Sequence, residues 1–555
     1  MTDPATFIPY PDYETRLTKL LAGRLQRTFC AGARALIPAC AIGLLSGCAT
    51  EALDRAPASA ERPWVDPEIV SVATETVTAG QTGGLTSAQT TTSHNSQAQP
   101  TYRVARVSEI RGLPRTELPN PDQTYSLVQL IDLAQQNNPQ TRAAWNHARE
   151  AALAVGMVEA TFLPVLSANV LAGYQRTTFP SPLVIGPREF ATEVSGVVPG
   201  LALGWLVLDF GKRKALLEGA EQLSRAANIL FNAEHQKVIW AVTTRFYEYN
   251  LARERVRLAH DSLASRQQIA QATRARLQAG MATTVETALS DQGVMQARLH
   301  LVNTQGAERN AYLGLLAAVG LSPTTEVRIA ADTSKVATEQ LRANTKLTDQ
   351  AIEQAIASRP DVAASYAAMK AAQANIKAVE ADFFPKVFLG GFLANSNTSF
   401  NLQGLPGFTQ QANATGVLLG VTLPLYDGGL RNARLVGAQI KSEQAARNFN
   451  QMQQDAVREI VLAQTVLGSA LESEATAREL VSTARIAYNA ALDSYQEGLA
   501  TITLVTEAAE GLLHAREALL EARVASEVAA ANLAFAMGEM TSSSQAVQTI
   551  QGRPK

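Results

Sequence analysis

Alternating apolar and polar positions in four segments predict long β-strands. From position 165 onward, Leu166, Ala168 and Val170 fall on one side, whereas Ser167 and Asn169 fall on the other. A period of two is typical of a strand with one apolar and one polar face. The predicted strands are about 165–179, 192–208, 386–400 and 413–426. Each is about 45 Å long at ~3.3 Å per residue, which is enough for a tilted membrane strand.

The remaining segments have helical periodicity. A short amphipathic helix begins near Ser126, breaks at Asn137-Asn138-Pro139 and resumes through Thr161. After the second strand, Gly211–Ala279 contains no proline, and this length predicts a rod of about 100 Å. The rods carry alanine, serine and glycine on more than one face, as in 525–536. Small residues let helices approach closely, so each rod can have neighbours on both sides, as in the wall of a tube.

The chain carries this pattern twice. An offset of 218 residues relates Asp209 to Asp427, Gly280 to Gly498, Arg298 to Arg516 and Gly320 to Gly538. Such an offset indicates a duplication whose unit is strand, sharp turn, very long helix, glycine hinge and returning helix. We therefore expect a first repeat over 123–320, a linker over 321–346, a second repeat over 347–540 and a tail over 541–555.

Composition fits long packed helices and excludes several kinds of function. The 555-residue chain has a net charge of −2 and only 6% aromatic residues, so nothing attracts it to nucleic acid. Neither repeat has an apolar run long enough for a transmembrane helix. Histidine, cysteine and carboxylate residues form no clustered motif. We therefore expect no metal site, no cofactor other than a covalent lipid, and no enzymatic activity.

The N-terminal segment has the pattern of an export signal. A basic region precedes the short apolar run Ala35–Leu45, which ends in Leu45-Ser46-Gly47-Cys48. This ending resembles a bacterial lipobox, which implies a signal peptide over 1–47, a lipidated Cys48 carrying palmitate or a similar acyl chain, and, with Ala49 next, sorting to the outer membrane. Residues 48–122 are expected to form a flexible tether, because 80–100 is mostly small and polar.

Four strands are too few for one chain to close a membrane barrel. An open sheet edge is not tolerated in lipid, and closed barrels have about eight strands or more. If the strands cross a membrane, several identical chains must share one barrel.

These features together resemble the outer-membrane efflux protein family, the TolC-like exit ducts, and in particular its lipoprotein branch. The resemblance covers Ser126–Met540 and is carried by the twofold repeat, the Leu423–Gly429 turn, the hinge Tyr495-Gln496-Glu497-Gly498 and the lipobox. It implies a mainly α fold with a small β part. Three chains would give four strands each to a shared 12-stranded membrane β-barrel, and the long antiparallel helices would build a periplasmic α-barrel.

The resemblance also implies a function. The homotrimer would sit in the bacterial outer membrane, anchored by lipid, with its helical barrel in the periplasm. It would conduct substrates passively from the periplasm to the outside. A periplasmic adaptor (membrane fusion) protein and an inner-membrane pump, either proton-driven or of the ABC type, would open it.

Candidate site residues follow from matching positions. The resemblance places the adaptor contact at the two periplasmic tips, which are Gly280, Met281, Ala282 and Thr283, and Gly498, Leu499, Ala500 and Thr501. It places Tyr495 where an aromatic residue holds the tip closed and Glu507 at an aperture position, with Glu286 and Asp291 as further acidic candidates; Leu504 stands where the family often has Asp. A plain helical hairpin and ordinary solvated helix charges are the alternative interpretations.

The strand-to-helix turns form a second candidate region. They contain Asp209 and Gly211 in the first repeat, and Asp427, Gly428 and Gly429 in the second. Each aspartate stands where an N-cap would accept the first free N–H groups of the long helix.

A different kind of protein remains as an alternative. A non-conducting periplasmic coiled-coil lipoprotein with a scaffold role would explain the rods and the lipid, but not the four long alternating strands. Within the duct interpretation, the sequence leaves efflux of small molecules and secretion of proteins equally open.

Overall fold

The computed structural model describes residues 122–180, 189–331, 348–402 and 406–540. The predicted signal peptide, Cys48, nearly all of the tether, most of the linker and the tail after Met540 lie outside these residues.

Eight helices and six strands are assigned in the described residues, together with a short 3-10 turn. The helices are α1 (Leu127–Asn137), α2 (Pro139–Ala160), α3 (Lys212–Gln278), α4 (Thr284–Val319), α5 (Asp349–Ser358), α6 (Pro360–Glu380), α7 (Leu430–Gln496) and α8 (Ile502–Ala536). The strands are β1 (Thr124–Tyr125), β2 (Val165–Pro180), β3 (Glu189–Leu208), β4 (Arg328–Ile329), β5 (Lys386–Leu402) and β6 (Phe408–Thr422). The 3-10 turn Ala381–Phe383 follows α6.

The four long strands form one antiparallel sheet in the order β2-β3-β5-β6. Two hairpins, one from each repeat, meet where β3 pairs with β5. Pro199 lies inside β3, although a proline cannot donate a ladder hydrogen bond and so is unusual in a central strand. The pairing accommodates it, because the register with β5 runs from Val197 to Gly200 without a partner for Pro199 on that side.

One strand boundary was predicted wrongly. The fourth strand was expected over 413–426, but β6 begins at Phe408 and ends at Thr422. The polar residues Thr409, Gln410 and Gln411 belong to the strand, since each pairs with a residue of β5. Cross-strand partners continue a strand even where alternation fails. At the other end, Pro424 has no N–H to donate, so the ladder stops before it.

Phenylalanine rings lie over glycines in the second β-hairpin. The ring of Phe392 covers Gly416, and the ring of Phe388 covers Gly420, so closely that neither glycine has room for a Cβ atom. Gly416 and Phe392, like Gly420 and Phe388, are direct cross-strand partners. An aromatic ring that fills the space above a cross-strand glycine helps to fix the register of the two strands.

The long helices form two antiparallel hairpins. Hairpin 1 consists of α3 and α4, and hairpin 2 consists of α7 and α8. Each first helix has 67 residues, or about 100 Å, which matches the length predicted from the sequence. No helix among the described residues combines the length and apolarity needed to cross a membrane.

Hairpin 1 and hairpin 2 meet along a seam between α3 and α8. Trp240 Nε1 donates to Asn532 Oδ1 at 2.6 Å, and Arg266 Nη2 donates to the Thr506 carbonyl at 3.3 Å. Nearer the sheet, Gln236 Nε2 donates to the Gly538 carbonyl at 3.2 Å. Residues later in α3 contact residues earlier in α8. The two helices are therefore antiparallel, and the seam extends along their length.

The main hydrophobic core lies part-way along the rods, where α1 and the two-stranded sheet of β1 and β4 pack on hairpin 1. Its fully buried side chains include Leu130, Ile131, Ile239, Leu315 and Leu316. Ala531 and Ala534 of α8 belong to the same core, which therefore also joins hairpin 2 to hairpin 1 at this level.

Each repeat has an equivalent side-chain clamp beside this core, formed by Asn138 in the first repeat and by Arg359 in the second. Asn138 Nδ2 donates to the Ala318 carbonyl at 3.1 Å, and Arg359 Nη1 donates to the Ala536 carbonyl at 2.9 Å. Asn138 and Arg359 each precede the proline that begins α2 or α6, and the two carbonyls are 218 residues apart. Each clamp therefore satisfies a carbonyl at the end of a returning helix.

Candidate functional site: helical tips and strand-to-helix turns

The first strand-to-helix turn is organised around a buried carboxylate. Asp209 Oδ1 accepts from the Gly211 N–H at 3.3 Å, and Oδ2 accepts from the Arg213 N–H at 2.9 Å. The Arg213 side chain also donates through Nε to Oδ2 at 2.8 Å. Phe210 and Gly211 both have positive φ, 51° and 92°. The chain thus reverses from strand to helix within two residues.

The second turn repeats this geometry. Asp427 Oδ1 accepts from the Gly429 N–H at 3.1 Å, and Oδ2 accepts from both the backbone N–H and the Nε of Arg431, at 3.1 and 2.7 Å. Gly428 and Gly429 supply the positive φ values of 65° and 88°. Because glycine has no Cβ, the second copy makes this turn with less strain than Phe210 does in the first.

The prediction that the aspartates are N-caps needs a correction. The N-cap residues are Gly211 and Gly429, two positions later, because the left-handed turn separates each aspartate from its helix. The aspartates nevertheless accept the N–H of the second helical residue. The aspartates therefore accept a free N–H of the first helical turn, as expected, but from a position two residues before the N-cap.

Arg213 and Arg431 are site residues that the sequence reading missed. Arg213 Nη1 donates to the Thr161 carbonyl at 2.9 Å, and its guanidinium lies 4.8 Å from the centre of the Phe162 ring. Arg431 lies 5.3 Å from the centre of the Phe383 ring. Both arginines keep the 218-residue offset and follow the aspartate by four residues, which is the signal that could have revealed them.

These arginines hold the two aspartates in the charged form. Burial alone would raise the pKa of Asp209, but the backbone and side-chain hydrogen bonds from Arg213 bring that pKa below its ordinary value. At Asp427 the side-chain hydrogen bond from Arg431 has the largest effect and also lowers the pKa. Next to the first turn, Asp382 accepts from Lys212 at 2.7 Å and from Lys386 at 2.9 Å, which joins the two repeats.

The two tips turn in the same way. At each tip a glycine with positive φ ends the first helix, with values of 69° at Gly280 and 78° at Gly498. The Met281 N–H donates to the Arg276 carbonyl, and the Leu499 N–H donates to the Ser494 carbonyl, both at 2.8 Å. Each glycine N–H also donates to the carbonyl three residues earlier, Gly280 to Leu277 at 3.0 Å and Gly498 to Tyr495 at 3.1 Å, and the two bonds together form a Schellman motif at each tip.

The helices that return from the tips are capped differently. Thr283 and Glu286 form a capping box, in which the Thr283 N–H donates to Glu286 Oε2 at 2.6 Å. Thr501 makes no side-chain cap hydrogen bond, and the reciprocal bond of a capping box is missing there because the position equivalent to Glu286 is Leu504. Two of the acidic candidates therefore have local partners in hairpin 1: Glu286 in the box and Asp291 in a 2.5 Å ion pair with Arg274.

Tyr495 joins hairpin 2 to hairpin 1 just above the tips. Its side chain is buried against Ile269 of α3 and Ile502 and Val505 of α8. Arg276 of α3 donates through Nη1 to the Tyr495 carbonyl at 2.7 Å, and its guanidinium lies 4.6 Å from the centre of the Tyr495 ring. We call this contact between Arg276 and Tyr495 the tip latch.

The ends of the tips expose apolar side chains. Met281 is 65% exposed and Leu499 is 84% exposed, at equivalent positions of the two repeats. Glu507 is exposed on α8.

The structure brings Tyr495 together with Arg276, which was not predicted from the sequence. It does not bring Tyr495 together with the three acidic candidates. In the part of the chain that is described, no group of three or more His, Cys, Asp or Glu residues is placed to hold a metal ion.

Comparison with known proteins assigns the family. The model of the family described as "Outer membrane efflux protein" matches residues 130–321 and 351–539, which together contain most of both repeats. The chain belongs to this family, as the sequence resemblance predicted.

Individual relatives are more distant. The chain is 25% identical over 318 residues to "Protein CyaE" of Bordetella pertussis, covering 56% of this chain and 63% of that protein. It is 25% identical over 419 residues to "Cation efflux system protein CusC" of Escherichia coli K12, covering 74% of this chain and 85% of that protein. It is 25% identical over 414 residues to "Probable outer membrane lipoprotein SilC" of Salmonella typhimurium, covering 74% and 85%.

Solved structures agree on the fold. The CmeC outer membrane channel of Campylobacter jejuni aligns with a TM-score of 0.63 at 17% identity, covering 77% of this chain and 89% of that chain. The predicted fold class, a TolC-like arrangement of long helices with a small β part, is confirmed.

Proposed function

We propose that this protein is the outer-membrane exit duct of a tripartite efflux or secretion system. Three copies share one membrane β-barrel and one periplasmic helical barrel. Substrates pass through passively, and an adaptor and an inner-membrane pump control the opening. The duct itself carries out no chemical step.

The observation that supports this most strongly is the open sheet at one end of the rods. Among the described residues, strands β2 and β6 each pair with a neighbouring strand on one side only. Their other edges expose unpaired backbone groups, which lipid does not tolerate. Further copies of the chain would satisfy both edges, whereas a scaffold lipoprotein would have no use for a sheet of four strands, each 15 to 20 residues long.

The tip latch supports a closed resting tip. The Arg276 hydrogen bond and its stacking on Tyr495 join the two hairpins about 100 Å from the sheet. A charge-assisted hydrogen bond and a cation–π contact together contribute about 2–4 kcal/mol. Opening would need the latch to break, and an adaptor that binds the exposed ends Met281 and Leu499 would act directly beside it.

A lipid anchor at Cys48 would keep the chain in the outer membrane. It rests on the Leu45–Cys48 pattern and on the lipoprotein name of one relative. The name of one relative specifies cations, and the proposed duct accommodates small molecules or proteins as substrates.

The test is conductance in planar bilayers. Purified wild-type protein should insert as a channel of low conductance, and Arg276→Ala should raise the conducting fraction at least tenfold, since each 1.4 kcal/mol corresponds to a factor of ten. Arg257→Ala is the matched control, because Arg257 lies on the same helix and, in the part of the chain that is described, its ion pairs are with Glu254 and Asp261 of that helix. If correctly folded Arg276→Ala and wild-type protein both fail to conduct, the protein is a scaffold and not a duct.

A further inference from the structure

A cavity of about 310 Å³ lies between hairpin 1 and hairpin 2, roughly a third of the way from the tips to the sheet. It is lined by polar side chains of three helices, among them Arg255, His300, Asn303, Thr304, Glu517 and Glu521. Arg255 belongs to α3, His300 to α4 and the two glutamates to α8. The cavity therefore brings charged groups of both hairpins together.

The charges in this cavity do not balance when the histidine is neutral. Arg255 pairs with Glu521, which leaves Glu517 to be matched. His300 Nε2 lies 3.0 Å from Glu517 Oε1, yet this buried nitrogen makes no hydrogen bond of good geometry. The other carboxylate oxygen, Oε2, lies 3.6 Å from Nδ1 of the exposed His514 on α8 itself. These are the charged and titratable groups that face His300 from the packed helices.

We propose that the contact between His300 and Glu517 is a pH-sensitive fastener that ties hairpin 1 to hairpin 2 and keeps the tip closed in acidic medium. This inference rests on the proposed function only in that the two hairpins must separate for the duct to open. It assigns to the duct a control that acts without the adaptor.

The direction follows from the geometry. A histidine side chain gains its charge between about pH 8 and pH 5, whereas an ordinary glutamate stays charged throughout that range. Protonation of His300 places a positive charge 3.0 Å from a carboxylate that lacks a cation from the other hairpin. That attraction exists only while the hairpins are together. Protons therefore favour the closed tip, and raising the pH weakens the link.

The test uses full-length protein in which the tip latch has already been removed. With Arg276→Ala in planar bilayers, the conducting fraction should fall about threefold to tenfold from pH 7.5 to pH 5.5, the range in which a histidine side chain gains its charge. Adding His300→Gln should reduce this fall to less than twofold. Adding Glu517→Gln should do the same, and it provides a second variant in case the first folds poorly.

The control and an independent measurement keep the two proposals separate. His260→Gln removes an exposed histidine of α3 and should leave the fall unchanged. Spin labels at Gln292→Cys on α4 and Thr503→Cys on α8 should show a larger fraction of short distances at pH 5.5 than at pH 7.5, with no need for conduction. If the distances respond to pH equally with and without His300, the fastener proposal is wrong even if the duct conducts. If nothing conducts but the distances respond through His300, only the duct proposal fails.

Discussion

At the scale of single residues, the two Asp–Arg turns are alike in geometry but differ in burial. Asp209 and Arg213 are both nearly inaccessible, whereas Asp427 and Arg431 are partly open to solvent. Solvent screens an exposed ion pair, and a buried carboxylate that loses its partner is left uncompensated. The same sequence motif should therefore matter more in the first repeat than in the second.

This difference gives a prediction for the two arginines. Arg213→Ala should destabilise the protein by about 3 kcal/mol at pH 7, because it leaves Asp209 buried without a cation. Arg431→Ala should have a clearly smaller effect. Thermal unfolding followed by circular dichroism measures both, and each variant serves as the control for the other. Equal losses would mean that burial does not distinguish the two turns.

The effect of pH on these variants has a definite sign. The pKa of Asp209 is lowered in the folded protein, so the pair contributes its stability above the ordinary aspartate pKa, near 4, and loses it as the pH falls through the lowered value. The difference between wild type and Arg213→Ala should thus be full at pH 6 and shrink below about pH 4. A difference that grows on acidification would contradict this assignment.

At the scale of elements, the glycines with positive φ fall into two kinds. Gly280, at a tip, has open space around it. Gly320, at the end of α4, packs so that an added Cβ would lie 3.0 Å from Asn138 Cα, inside the clamp beside the core. The backbone angles of 69° and 83° are similar, so the difference between the two sites is one of packing.

Alanine substitutions should separate the cost of the left-handed backbone angle from the cost of the packing clash. Gly280→Ala should cost about 1 kcal/mol, the ordinary penalty for a side chain in the left-handed region. Gly320→Ala should cost that amount plus a clash with backbone that cannot move, and so lower the thermal midpoint further. Hydrogen exchange should show the extra opening at the start of α2. The idea fails if the two variants unfold at the same temperature.

Comparison of the predicted and observed elements shows which parts of the fold the sequence alone can predict. The tip glycines, the long rods and three of the strands follow from local signals: positive φ needs glycine, and periodicity reports one face at a time. Arg276 was missed because its partner, Tyr495, lies 219 residues away. Glu286 forms a local capping box with Thr283, and its place at the aperture stays a prediction. The start of β6 at Phe408 depends on pairing with β5, which a single segment does not reveal.

At the scale of the whole molecule, the duplication gives two hairpins of similar shape whose tips are stabilised by different contacts. The tip of hairpin 1 is stabilised by contacts within that hairpin, namely the Glu286 capping box and the ion pair of Arg274 with Asp291. In hairpin 2 the positions equivalent to Glu286 and Arg274 are Leu504 and Leu492. Hairpin 2 is instead held to hairpin 1, through Arg276, Arg266 and the seam above them. We therefore expect hairpin 2 to move when the tip opens, while hairpin 1 keeps its shape.

The two open edges of the sheet lead to the last prediction, which concerns assembly. Strands β2 and β6 lie at opposite edges of the four-stranded sheet, so they cannot pair with each other within one flat or gently curved chain. In a shared barrel, β2 of one copy lies beside β6 of the next. One cysteine at Val170 on β2 and one at a time between Gly416 and Val421 on β6 should therefore form disulfides only between copies, where Cα atoms come within about 7 Å. The residues after Cys48 contain no other cysteine, so the background is clean.

The pattern of products distinguishes a closed ring from an open one. Under oxidation, a closed ring of three gives dimers and then a covalent trimer that runs as one species, with crosslinking strongest at one register and weak at positions one residue away. A matched pair with both cysteines on β2 should give neither product. An open chain of copies would instead give a ladder that continues past the trimer, and a monomeric scaffold would give no crosslink at any register. Since one four-stranded sheet cannot close in lipid, only the first result agrees with a duct.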